Sequence, residues 1–457
     1  MGAWPQLRES RTVRPGGAAG TAAGTVVRCG LMDAMLADLA VSVVYFFREP
    51  LDEQRLADGL ARALEQIPVF GGRLRTTEAA GGDVLEIVCD GSGVPMDSYD
   101  VDETLAEAMS RVTLPGAELV DHVRASEARG GGLPLLTVRL SRLADGGTAL
   151  GLSWHHALGD VQTFMLLMRA WSAAVEGLRL PEVELVADHD AYLDRVLPPE
   201  DCGRPGFRLP GPEEAELLAR EVAFSVRANR TVQVYFSEAE TERMRQAFIE
   251  AAGRKLSTSD VLCAHVVCTI RELDDDAEAR ELTVPVNVRR PLDLPATVVG
   301  NLLSEIHLDC AGGAAPERLA VELREAVEDF TASHLNLRAN IRFLEAIGRD
   351  RLGDCAPLGF DPARRRLTFS NWSRFGAYEI SFGGRRPVFF SPAANLQLPW
   401  VSWMVEGFEG TGSLFTVVLP TRLAGRLRSA EGRAALHRHR SDQDPLPPLA
   451  EAVRKLA

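Results

Sequence analysis

Two adjacent histidines shortly before an aspartate, in His155-His156-Ala157-Leu158-Gly159-Asp160, are the residues of this sequence best suited to chemistry. Imidazole titrates near neutrality, so a histidine at the end of a strand can take a proton from a hydroxyl or amine as that group attacks a carbonyl carbon. On an extended chain His156 shares parity with Leu152 and Trp154, on the inner face, and His155 with Gly151 and Ser153. His156 is therefore the candidate general base and His155 a structural residue. Asp160 can hold the turn in shape, and equally can cap the following helix by accepting from its first-turn amides. No Gly-x-Ser-x-Gly elbow marks a serine nucleophile. Neighbouring side chains on an extended chain point apart, which disfavours metal ligation by the histidine pair. General-base catalysis without a covalent intermediate is the chemistry that remains.

The flanking segments must position these residues, and their periodicities suit the task. Leu136, Val138 and Leu140 alternate with Thr137, Arg139 and Ser141, Asp145-Gly146-Gly147 turns the chain, and Leu150, Leu152 and Trp154 bring it back to the histidines. Beyond Asp160, the stripe Phe164, Leu167, Met168, Trp171 and Val175 predicts a helix ending at Gly177. The histidines thus fall on a strand-to-helix turn. Upstream, Leu36 to Phe47 reads as a buried strand, and Leu51 to Ile67 as a core-facing helix with Leu56, Leu60 and Leu64 on one side. In the second half, Ser257 to Glu272 reads as a helix. Leu282, Val284, Val286 and Val288 alternate as a strand delivering Asn287, Arg289 and Arg290 to its end, and a strand-turn region runs from Leu367 to Phe390. The prolines and glycines between residues 181 and 221 suggest a linker joining a domain of residues 1–180 to one of residues 222–457. Gly16 to Gly24 and Gly130 to Gly132 read as loops, and Ser441 to Pro448 as a mobile tail.

A chain of 457 residues exceeds the reach of one hydrophobic core, so two domains of about 200 residues are expected. Apolar residues at 46% and charged residues at 25% are those of a water-soluble globular protein. No apolar run approaches the roughly 18 residues that would span a bilayer, and no secretory leader pattern is evident, so a cytoplasmic protein is expected. A net charge of -14 disfavours nucleic acid as a partner and requires a local basic patch for any phosphate ligand. The seven cysteines are scattered, with no Cys-x-x-Cys spacing, so neither a disulfide framework nor a zinc site is indicated. A monomer with no metal and no permanently bound cofactor is expected.

The motif and its flanks, from Thr148 through the two histidines to Asp160, then Phe164 and Trp171, resemble the BAHD acyltransferases. Distant segments agree in order. Leu31-Met32-Asp33 is similar to the family's early Leu-Ser-x-x-Asp element, and Ile67-Pro-Val-Phe-Gly-Gly-Arg-Leu74 to its Pro-x-x-Gly-Arg segment. Asn287-Val-Arg-Arg-Pro291 and Gly300-Asn301 resemble its Asn-x-Arg and Gly-Asn pair, and Ser370-Asn-Trp-Ser-Arg-Phe375 with Phe382, Gly383 and Pro387 its C-terminal signature.

The resemblance spans about Asp33 to Pro420. It implies an α/β protein of two chloramphenicol-acetyltransferase-like domains, each a mixed sheet with flanking helices, and a tunnel between them that admits acyl-CoA as co-substrate and a small alcohol or amine acceptor. His156 then takes the acceptor proton, and Ser370 with the Trp372 amide or ring is the candidate oxyanion donor. For the CoA phosphates, Arg254 and Lys255 ahead of Ser257, Thr258 and Ser259 offer charge, hydroxyls and a helix N-terminus, with Arg290 or Arg385-Arg386 as alternatives.

Two departures stand out. Ser381-Phe382-Gly383-Gly384-Arg385 replaces the family's Asp-Phe-Gly-Trp-Gly, which removes the aspartate expected to pair with an arginine such as Arg289 and leaves Glu379 as a substitute. Val161 replaces the glycine that usually follows the motif aspartate. Competing expectations are a condensation enzyme that takes its acyl group from a carrier protein, and a non-catalytic binding protein on the same fold.

Overall fold

The run Ala40-Val-Ser-Val-Val-Tyr-Phe-Phe47 is almost wholly β-branched and aromatic, the composition of a strand covered on both faces. All of its residues are buried in the computed structural model, which describes residues 5–16, 24–79, 82–114, 116–200, 203–274, 280–310, 314–360, 366–393 and 400–444. The Thr148–His155 strand is equally buried and lies between Ala40–Phe47 and Leu136–Leu143, with Ala40 opposite His155 and Leu136 opposite Trp154. These three strands form the middle of a six-stranded sheet that runs in the order Gln6–Val13, Val94–Val101, Leu136–Leu143, Thr148–His155, Ala40–Phe47, Phe389–Pro392. The expected helices cover it: Glu53–Gln66 and Val161–Val175 pack together, and the Trp171 indole donates to the Leu56 carbonyl at 2.8 Å.

A second six-stranded sheet has the order Asn229–Phe236, Ser413–Pro420, Val401–Glu406, Leu367–Asn371, Arg280–Asn287, Leu303–Cys310. Its core is shared with Glu238–Ala252, Thr258–Leu273 and Pro316–Glu328. Each lobe is thus a mixed sheet with helices, the α/β architecture that the resemblance implies. Among the described residues no helix is long and apolar enough to cross a membrane, and six cysteines are buried and free; Cys202 lies outside them.

The chain is not divided where composition suggests. Phe389–Pro392, from the second half, pairs antiparallel with Ala40–Phe47 and completes the first sheet. Residues 181–221 are not a plain linker. They contain the helix His189–Val196, capped by Asp188 accepting from the Ala191 amide at 2.9 Å, and the start of Pro212–Ala228. Proline and glycine punctuate that stretch but stay out of His189–Val196, and Pro212 takes the first position of Pro212–Ala228, where proline is tolerated. Of the loop and tail expectations, residues 17–23 and 445–457 lie outside the described residues.

Candidate active site

The Thr148–His155 strand stops at the histidine pair because the chain there enters a single 3-10 turn, His156–Leu158, followed by Gly159. At Gly159 φ is 143°, and an added Cβ would lie 2.6 Å from the Thr163 side chain, so glycine alone lets Asp160 begin the next helix. The two histidines take opposite environments. His155 accepts from the Ala157 amide at Nδ1 (3.1 Å) and donates from Nε2 to the Ala125 carbonyl (3.3 Å). Burial pushes its pKa down to about 4, so it is a neutral, fully engaged core residue.

His156 instead lines a cavity of about 210 Å³ between the lobes. Its amide donates to the Leu39 carbonyl and its own carbonyl accepts from Asn301 Nδ2 at 2.8 Å, which pins the backbone of the turn. Burial lowers the pKa of the ring, opposed by its own carbonyl, Asp160, Asn301 and Asp33. The ring Nδ1 is buried and makes no hydrogen bond among the described residues. A general base at this position needs the neutral ring with the Nε2 lone pair free.

Asp160 caps the Val161–Val175 helix through Oδ1, which accepts from the Thr163 amide at 3.0 Å. Its Oδ2 accepts from Arg289 Nη1 at 2.7 Å and from the Leu302 amide at 3.2 Å. Arg289, itself buried, also donates to the carbonyls of Val298 (2.9 Å) and Gly300 (3.0 Å) and to Asn287 Oδ1 (3.1 Å). The expectation of a partner for Arg289 in the C-terminal signature, with Glu379 as substitute, is therefore corrected: the partner is Asp160. The altered signature docks elsewhere. Ser381 Oγ and the Gly384 amide both donate to Glu176 Oε1, at 2.7 and 2.9 Å, just past the motif helix. Burial would raise the Glu176 carboxyl, but these two donors hold it below its ordinary value.

Ser370 and Trp372, at the end of the Leu367–Asn371 strand, line the same cavity as His156. The Trp372 indole donates to Ser370 Oγ at 2.9 Å, orienting the hydroxyl. The Trp372 amide is removed as an oxyanion donor, because it is spent on the Met404 carbonyl at 2.8 Å. The residues expected to meet CoA divide. Arg254 is held by Glu325 and Glu328, at 2.7 and 2.8 Å. Ser257 caps the Thr258–Leu273 helix, and the first turn of that helix already carries Asp260, itself paired with Arg324. Thr258 is half-buried on the same turn, and Lys255 and Arg290 are exposed. Ser259 reaches the cavity at one remove, by accepting from Asn371 Nδ2 at 2.9 Å.

Three functional supports were not assigned from sequence. Asn301 joins the His156 carbonyl to Asp33 Oδ1 (2.8 Å), and Asp33 Oδ2 meets His189 Nδ1 at 2.6 Å. Burial opposes both charges, yet the pair wins: Asp33 is held below the usual carboxylate range and His189 above that of imidazole. Gly300, at φ 136°, leaves room for that ring, since a Cβ there would lie 2.9 Å from it. The Gly-Asn and Leu-x-Asp motifs mark Asn301 and Asp33, but nothing local signals that His189 joins them.

Comparison with known proteins agrees with this geometry. Residues 27–422 match the model of the Transferase family. The chain is 24% identical over 440 residues to putrescine hydroxycinnamoyltransferase of Oryza sativa subsp. japonica, covering 90% of this chain and 94% of that protein. Its fold is that of vinorine synthase in its crystal structure (TM-score 0.66, 19% identity, 94% and 98% of the two chains). It is also that of F. graminearum TRI101 complexed with coenzyme A and T-2 mycotoxin (TM-score 0.68, 15% identity, 89% and 98%). With the histidine turn, the signature strand and the two-lobed fold in place, the chain belongs to the Transferase family of BAHD acyltransferases and is an acyltransferase.

Proposed function

We propose that this enzyme transfers an acyl group from acyl-CoA to a hydroxyl or amine of a small acceptor held in the interlobe cavity, with His156 as general base. The observation that carries the reading is His156 on the cavity wall, its Nδ1 turned to the protein and its backbone pinned by Asn301, on the same cavity as the Ser370–Trp372 pair. His156 Nε2 takes the proton as the acceptor oxygen or nitrogen bonds to the thioester carbon. The Ser370 hydroxyl, aligned by the Trp372 indole, donates to the developing oxyanion. The C–S bond then breaks and the CoA thiolate recovers the proton from the imidazolium. Holding the three groups together in the cavity can itself remove several kcal/mol of the barrier. Asp160 takes no proton in this scheme, because the Thr163 amide occupies its Oδ1 and Arg289 with the Leu302 amide its Oδ2.

The CoA phosphates fit the end of the cavity where Asn371 touches Ser259 at the start of the Thr258–Leu273 helix. Lys255 and Arg290 have no carboxylate partner among the described residues, and with Thr258 they are the groups free to meet phosphate. Arg254, Ser257 and Ser259 then shape that wall.

The experiment is thiol release from a panel of acyl-CoAs with mixed alcohol and amine acceptors, run beside the same acyl groups on a carrier protein. Acceptor-dependent release from free CoA thioesters is expected. Reaction of carrier-bound acyl groups alone would establish the condensation reading, and release from neither would leave a binding protein.

A further inference from the structure

The cavity wall is mainly methionine, leucine, valine, proline and aromatic side chains, and among the described residues it contains no lysine or arginine. Two carboxylates reach it. Asp160 is neutralised by Arg289, but Glu305 is not so matched. Glu305 stands on the Leu303–Cys310 strand, two residues after Leu303 and opposite Pro285, both of which also line the cavity. An inward position in such a strand calls for an apolar residue, and the strand is held there firmly, since the Glu305 amide donates to Asn336 Oδ1 at 3.1 Å. The carboxylate keeps 21% exposure, and its buried Oε2 makes no hydrogen bond. The one basic group within 4 Å of Glu305 among the described residues is His307, two residues on along the same strand, with Nε2 at 3.4 Å from Oε2; its ring is not part of the cavity wall. A carboxylate on an apolar wall, with no lysine or arginine beside it among the described residues and a single histidine as its basic neighbour, favours a ligand that brings a full positive charge.

We propose that Glu305 sets acceptor specificity by binding a cationic group, an ammonium or guanidinium, at the end of the acceptor remote from the atom acylated at His156. The inference rests on the acyl-transfer reading and sharpens it: the acceptor class becomes a basic compound with two functional ends. The apolar wall between the carboxylate and His156 suits a methylene spacer.

The test uses coumaroyl-CoA with α,ω-diamines of three to eight carbons and with monoamines of equal length, following thiol release and amide product. The wild type is expected to prefer a diamine of one length over its monoamine by about tenfold or more in kcat/KM, chiefly through KM. Glu305→Gln should collapse that ratio, and Glu305→Asp should move the optimum to a longer diamine. Thermal unfolding of each variant shows that it is folded. A wild type indifferent to the second amine, or a folded Glu305→Gln that keeps the preference, overturns the proposal. If no acceptor, alcohols included, is acylated, the acyl-transfer reading fails. Glu305 is then judged by equilibrium dialysis of 1,6-diaminohexane, where tighter binding to wild type than to Glu305→Gln upholds the cation site and equal binding removes it.

Discussion

An imidazole acts as a base only while it is neutral, and burial already biases His156 toward that form. Because its pKa lies below the ordinary value of about 6.5, the base is available once pH exceeds that lowered pKa. With an alcohol acceptor, which does not titrate in this range, kcat/KM should rise on an acidic limb whose midpoint falls below about 6.5 and be level by pH 7. A midpoint at or above the ordinary value would assign the limb to another group. Ser370→Ala removes a single oxyanion donor, so kcat should fall by about 10²-fold with KM little changed, as read from steady-state kinetics. An unchanged kcat would move the oxyanion contact elsewhere. At this scale much was legible. Strand parity separates His156 from His155, since it depends only on neighbours in the chain. The loss of the Trp372 amide to Met404 was not legible, because it depends on a strand thirty residues away in sequence.

The turn is held by elements that meet only in the folded chain. The Val161–Val175 helix and the end of the Arg280–Asn287 strand are joined by Asp160 and Arg289, whose side chains are 2% and 3% exposed. Removing one partner leaves the other charged and buried, so Arg289→Ala should lower stability by about 3–5 kcal/mol in denaturant unfolding. A loss below 1 kcal/mol would mean that water reaches the remaining carboxylate. The helix and the strand were each visible from apolar periodicity, which is a local property. Their junction was not, because the two residues are 129 apart in sequence and the aspartate alone reads as a helix cap. The same reasoning covers His189, hidden in a proline-rich stretch, although its pairing with Asp33 and Asn301 ties that stretch to the catalytic turn.

The whole molecule is two lobes that do not part cleanly. Phe389–Pro392 lies in the first sheet although its sequence neighbours belong to the second, and Gln233 on the second sheet donates to Ser391 Oγ at 2.7 Å. Unfolding one lobe would strip a strand from the other. Scanning calorimetry should therefore show one cooperative transition, and two well-separated transitions would mean that the shared strand contributes little coupling. Two lobes were expected from chain length, while the exchanged strand could not be read from a short apolar run that fits either sheet. What the interlocked lobes achieve is a fixed cavity with one imidazole on its wall, and catalysis tests that most directly. For a single acyl-CoA and acceptor pair that the wild type turns over, His156→Ala should lower kcat by roughly 10²- to 10⁴-fold while its melting temperature stays at the wild-type value. Equal turnover by a folded His156→Ala would contradict the assignment of this residue as the base.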